Sequence, residues 1–97
     1  MMMHRGGRSA GRMNDGKLND EVARGQRAAM LLGDEIVTEA LNTIEKRYLD
    51  AWRQSDPTDD AKREKLFQML RALDAFKEHL TSVAQTGDLA AKELRRL

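Results

Sequence analysis

The side chains able to act as nitrogen ligands or neutral-range bases are His4 and His79, and there are no cysteines. His79 follows Glu78, but neighbours on a helix point about 100° apart, so the pair does not converge on one ion. There is no Glu-x-x-His pair of the di-iron bundle type and no His-Glu-x-x-His. Asp34, Glu35 and Glu39 form an acidic group, which on a helix reads as a solvated face. Ser9, Ser55 and Ser82 have no His–Asp setting to activate them. Gly6, Gly7 and Gly11 lack the preceding strand and the Gly-Lys-Ser/Thr ending of a phosphate loop. The expectation is a protein that is not an enzyme, with no catalytic residue, metal or cofactor.

Binding chemistry is more evident. Up to Lys17, the chain carries Arg5, Arg8, Arg12 and Lys17 against Asp15 alone, interspersed with glycines. Such a segment buries too little to offset its ordering entropy, so residues 1–18 read as a flexible basic arm. Arginine–phosphate contacts would let it bind nucleic acid. Arg95 and Arg96 near the C-terminus are further candidates for the same contact. The alternative is a dispensable tail, because Met1, Met2, Met3 and Met13 are all possible starts.

The elements behind these groups are helical. Of 97 residues, 34% are charged, 4% are aromatic and one is proline, the profile of a thin-cored all-α protein. The net charge of +1 is concentrated in the arm. No apolar run approaches the roughly 20 residues of a membrane span, and no apolar segment follows the first basic residues as a secretory signal would require. The default is a soluble cytoplasmic protein without cysteine chemistry.

Residues 19–97 read as one helical domain. A first helix over 20–54 starts at an Asn19 or Asp20 cap and has a kink or break at Gly33, with Asp34 as a fresh cap. Val37, Leu41, Ile44, Tyr48 and Ala51 recur in alternating fours and threes, the seam of a helix lying along another helix. Ser55-Asp56-Pro57-Thr58 is a turn, with Thr58 or Asp59 capping a second helix over 59–86. Its seam reads Leu66, Leu70, Leu73, Phe76, Leu80 and Val83. Gly87 then reads as a helix end, followed by a short helix over 88–97 capped by Asp88. Trp52 and Tyr48 are expected to pack against the start of the second helix around Leu66 and Phe67.

A short connection makes the two long helices antiparallel neighbours, a coiled-coil-like hairpin. The second helix carries more apolar surface than one partner can cover. Phe67, Met69, Leu73, Phe76, Leu80 and Val83 are therefore the candidate oligomer interface, and the protein is expected to be a homo-oligomer.

From Arg27 to Leu97 the chain shows Arg27-Ala28-Ala29-Met30-Leu31-Leu32, Glu39-Ala40-Leu41, Tyr48-Leu49-Asp50-Ala51-Trp52-Arg53, Arg63-Glu64-Lys65-Leu66 and Gly87-Asp88-Leu89-Ala90. This pattern resembles small helical proteins of tailed phages, prophages and gene transfer agents that are encoded near packaging and head genes. Within that group the small terminase subunit, with its oligomerisation hairpin, is the nearest physical match. The resemblance implies a ring-forming adaptor in DNA packaging or virion assembly. Its partners would be the large terminase or portal, and it would sit in the host cytoplasm or with the virion. The arm departs from the pattern, and there is no room for the helix-turn-helix domain that small terminases usually carry. Two other functions stay open: nucleic-acid binding through the arm, and a phage inhibitor that sequesters a host protein or signalling molecule between subunits.

Overall fold

The computed structural model describes the chain from Met2, with side chains from Asp15 onward. Among the described residues there are three helices and no strand: α1 (Met2–Gly33), α2 (Glu35–Gln54) and α3 (Asp60–Arg96). The protein is all-α, and none of these helices is long and apolar enough to cross a membrane.

Each boundary has a local cause. At the α1–α2 break, Asp34 is extended (φ −75°, ψ 124°) and its carboxylate accepts from the amides of Ile36 at 2.8 Å and Val37 at 3.1 Å. Those amides have no partner inside the first turn of α2, so the cap satisfies two otherwise orphan donors. At the other end of α2, the Ser55 amide and hydroxyl both donate to the Trp52 carbonyl. Asp56 then accepts from the amide of Thr58 at 2.8 Å and its hydroxyl at 2.7 Å, folding the residues around Pro57 into a turn. These two bonds, the amide's first, hold the Asp56 carboxyl below its ordinary value, against a small opposing effect of burial. Asp59 caps α3 by accepting from the Lys62 amide at 3.2 Å.

Two boundaries differ from the sequence expectation. Neither Asn19 nor Asp20 begins a helix; α1 is already helical at Asp15. Leu18 is half-buried and extends the stripe of Val22 and Gly25 at helical spacing, so packing carries the helix past the cap residues. Nor does Gly87 end a helix. α3 runs through it to Arg96, and no separate helix starts at Asp88. The reason is tertiary: Gly87 is buried against Gly25 of α1.

The chain divides into two compact units, one made of Met1–Met30 with Thr81–Leu97, the other of Leu31–Leu80. In the first, α1 and the C-terminal part of α3 meet backbone to backbone. A Cβ placed on Gly25 would lie 2.6 Å from the Gly87 Cα and 3.1 Å from the Val83 carbonyl oxygen. One placed on Gly87 would lie 2.7 Å from the Gly25 Cα. Ala28 and Ala90, at 4% and 2% exposure, are buried beside them.

In the second unit, the buried apolar residues are Leu66 and Leu73 of α3. No residue of α2 is buried. Val37, Leu41, Ile44, Tyr48 and Ala51 are all half-exposed, the state of a stripe covered along one side. Lys77 takes the place in the α3 stripe where Phe76 was expected. Lys77 is half-buried and donates to the Glu45 carboxylate at 2.8 Å, whereas Phe76 is 52% exposed. The spacing Leu66, Leu70, Leu73, Lys77, Leu80 is a strict four-three alternation, and the aliphatic stem of lysine can line it while the ammonium reaches a carboxylate.

Candidate functional site

Among the described residues, no catalytic arrangement forms from the candidate groups, and His4 and Ser9 lie outside the residues whose side chains are described. His79 and Glu78 are both exposed on α3. Asp34 serves as a helix cap, and Glu35 and Glu39 are exposed. Among the described residues, no three His, Asp or Glu side chains come together to hold a metal ion. Ser55 is buried, with its hydroxyl donating to the Trp52 carbonyl and facing Arg63 Nη1 at 3.4 Å, and no histidine is among these partners.

The concave surfaces are shallow. A groove of about 530 Å³ follows α2 from Gly33 to Lys46 and is lined by Glu35, Thr38, Glu39, Asn42 and Thr43. A hollow of about 200 Å³ lies between Leu31, Leu32, Val37, Leu41 and Lys77. In the other unit, Glu21, Arg24, Ser82, Val83 and Thr86 line about 280 Å³. Only the hollow beside Leu41 sets polar side chains, Thr38, Asn42 and Lys77, among apolar ones.

The basic candidates are only partly placed. Arg5, Arg8 and Arg12 lie outside the residues whose side chains are described. Lys17 is exposed on α1, and Arg95 and Arg96 are exposed in the last turn of α3. Arg96 faces Glu93 at 3.5 Å, which offsets part of its charge.

Near the turn, Trp52 meets the start of α3, as the sequence leads one to expect, but through Arg63. The Arg63 guanidinium stacks 4.0 Å from the centre of the Trp52 ring. Arg63 is four residues beyond Asp59 and returns over α2, so it ties the turn closed through Trp52 and Ser55. Phe67, expected to pack there, is 57% exposed.

The six candidate interface residues fall into three groups. Leu73 is only 8% exposed and is already enclosed by its own chain, so it is removed from the set. Its place in the middle of the α3 stripe, flanked by Leu70 and Lys77, accounts for that burial. Met69, Leu80 and Val83 are half-buried. Phe67 and Phe76 are open to solvent at 57% and 52%. Ile36 at 72% and Met30 at 73% are further exposed apolar side chains that sequence reading left out of an interface. The missed signal was positional: Ile36 sits in the first turn after the Asp34 cap, outside the four-three run that begins at Val37.

Comparison with protein-family models, with curated proteins and with solved structures yields no match.

Proposed function

We propose that this protein is a non-catalytic, self-associating helical adaptor, in which α2 and the first part of α3 form an antiparallel hairpin. The contacts Trp52–Arg63 and Glu45–Lys77 support the hairpin, because position falls along α2 as it rises along α3. The observation that carries self-association is the thinness of the core. Among the described residues no large side chain is fully buried, and α2 buries none of its residues. Burial of apolar area is the main favourable term in folding, and chains of this size are marginal without help from a partner. A second copy would finish covering the half-exposed stripe of Val37, Leu41, Ile44 and Tyr48.

The setting follows from the resemblance of Arg27–Leu97 to small phage and gene-transfer-agent proteins. In that setting the assembled protein works in DNA packaging or virion assembly as a small-terminase-like adaptor for a large terminase or portal. The test is the molar mass of the full chain by light scattering at micromolar concentration. The expected result is an oligomer whose mass holds on dilution. A mass of one chain would overturn the reading.

A further inference from the structure

The hollow beside the glycine crossing gathers polar side chains that have no partner. It measures about 280 Å³ and is lined by Glu21 and Arg24 of α1 and by Ser82, Val83 and Thr86 of α3. All five belong to the unit of Met1–Met30 and Thr81–Leu97. Glu21 and Arg24 are three apart on α1, and Ser82 and Thr86 are four apart on α3, so each pair shares one side of its helix. Among the described residues, the side chains of Glu21, Arg24, Ser82 and Thr86 make no hydrogen bond or ion pair. The hollow beside Leu41 differs in this respect. There Lys77 donates to Glu45 and the Thr38 hydroxyl donates to the Leu32 carbonyl at 3.4 Å, so two of its three polar side chains are committed. The walls of the Glu21 hollow are also held in place. Gly25 follows Arg24, Gly87 follows Thr86, and the two glycines bring the helix backbones into contact. Backbone cannot rotate away as a side chain can, so the spacing of the walls is preset. A preset site costs a ligand less ordering.

We propose that this hollow binds a small zwitterion, an α-amino acid with a short aliphatic side chain, its carboxylate on Arg24 and its ammonium on Glu21. The proposal goes beyond the adaptor reading and does not depend on it. Charge selects the ligand. Glu21 and Arg24 line one hollow without pairing with each other. A simple anion drawn to Arg24 is repelled by Glu21, and a simple cation drawn to Glu21 is repelled by Arg24. A molecule that carries both charges satisfies both groups at once. Its carboxylate accepts from the forked donors of the guanidinium, and its ammonium donates to the Glu21 carboxylate. The hydroxyls of Ser82 and Thr86 both donate and accept, so they serve either end. Val83 is the one apolar side chain in the lining and is half-buried, which suits a short aliphatic group. Size agrees. The volume lies just below the roughly 300–1,000 Å³ of sites for drug-sized ligands, so the occupant is small.

The test follows the backbone amide signals of the full-length protein by NMR through titrations with L-valine, isovalerate and isobutylamine. The three share one aliphatic body and carry both charges, the negative charge alone or the positive charge alone. The expected result is saturable shifts at Glu21, Arg24, Ser82, Val83 and Thr86 with L-valine in the low millimolar range, and at least ~10-fold weaker binding of each single-charge compound. Glu21→Gln removes the repulsion of an anion and raises isovalerate to the affinity of L-valine or above. Arg24→Gln does the same for isobutylamine. A merely structural role for either residue would lower all three compounds alike. Far-UV circular dichroism checks folding, and if a variant loses helicity the wild-type preference among the three compounds decides. No saturable shift up to about 20 mM L-valine overturns the proposal. So do shifts centred away from the five residues, equal wild-type affinity for L-valine and a single-charge compound, or a folded Glu21→Gln or Arg24→Gln that keeps the wild-type preference.

Discussion

The two compact units solve the same packing problem with opposite side chains. In the unit of Met1–Met30 and Thr81–Leu97, the buried residues among those described are Gly25, Ala28, Gly87 and Ala90. In the unit of Leu31–Leu80, they are Leu66, Leu73 and Ser55. Where side chains are absent, two helix backbones touch, and the contact is fixed by what a Cβ would strike. Where leucines fill the stripe, α2 stays half-exposed and polar bridges at one edge supply the alignment. The lesson is that a single helix, α3, can carry two packing modes in succession simply by changing the volume of the residues in one stripe. It runs from Leu66, Leu70, Leu73 and Lys77 to Ala84, Gly87 and Ala91. Dispersion attraction falls steeply with distance, so the glycine contact tolerates less change than the leucine contact.

Four substitutions, one of them a control, break or sharpen that contrast. The largest effect is expected from Gly25→Ala. Its new methyl meets backbone atoms of α3, which cannot rotate away, and the variant should lose about 3 kcal/mol in urea unfolding. Gly16→Ala is the matched control. Nothing lies within 4 Å of its Cβ position, and a mid-helix alanine there should gain up to about 1 kcal/mol over glycine. Equal effects at the two positions would remove the case for a backbone crossing. Next comes Leu73→Ala, expected to cost about 2 kcal/mol by thermal or urea denaturation. That is the low end for a buried leucine, because the surrounding core is thin enough to relax. A loss as large as that of Gly25→Ala would make the two units equally intolerant and undo the distinction. The smallest effect belongs to Glu45→Gln. Its partner Lys77 is one-third exposed at the side chain (33%), so the pair should contribute under about 1 kcal/mol. The difference from wild type should shrink further as salt is added in the same unfolding assay.

Much of the local structure was legible in the residues themselves. Gly33 followed by Asp34 marks the helix break because a glycine weakens the helix and the aspartate carboxylate can satisfy two free amides. Asp56-Pro57-Thr58-Asp59 marks the turn for similarly local reasons. The alternating threes and fours from Val37 to Ala51 identify the side of α2 that is partly withdrawn from solvent. Three features were not legible. Gly87 has the local signature of a helix end, yet it is the close-contact point of a continuing helix. Nothing near it in the chain records Gly25. Phe76 looked like a stripe residue because it is aromatic, while Lys77 did not because it is charged. Only the carboxylate of Glu45, distant in sequence, makes the lysine the better occupant. The stretch Asp15–Leu18 looked too polar and glycine-rich to be helical, yet Leu18 gains cover in its own unit.

The amino-acid order by itself determined that the chain is helical, where α2 and α3 begin, and which positions of α2 form its apolar stripe. Those properties depend on capping groups, turn residues and spacing within a few positions of one another. The tertiary structure alone decided which glycines break a helix and which let two helices touch, and which of two adjacent residues fills the stripe. Each of those outcomes depends on an atom contributed from far along the chain, and short-range patterns carry no information about that distance.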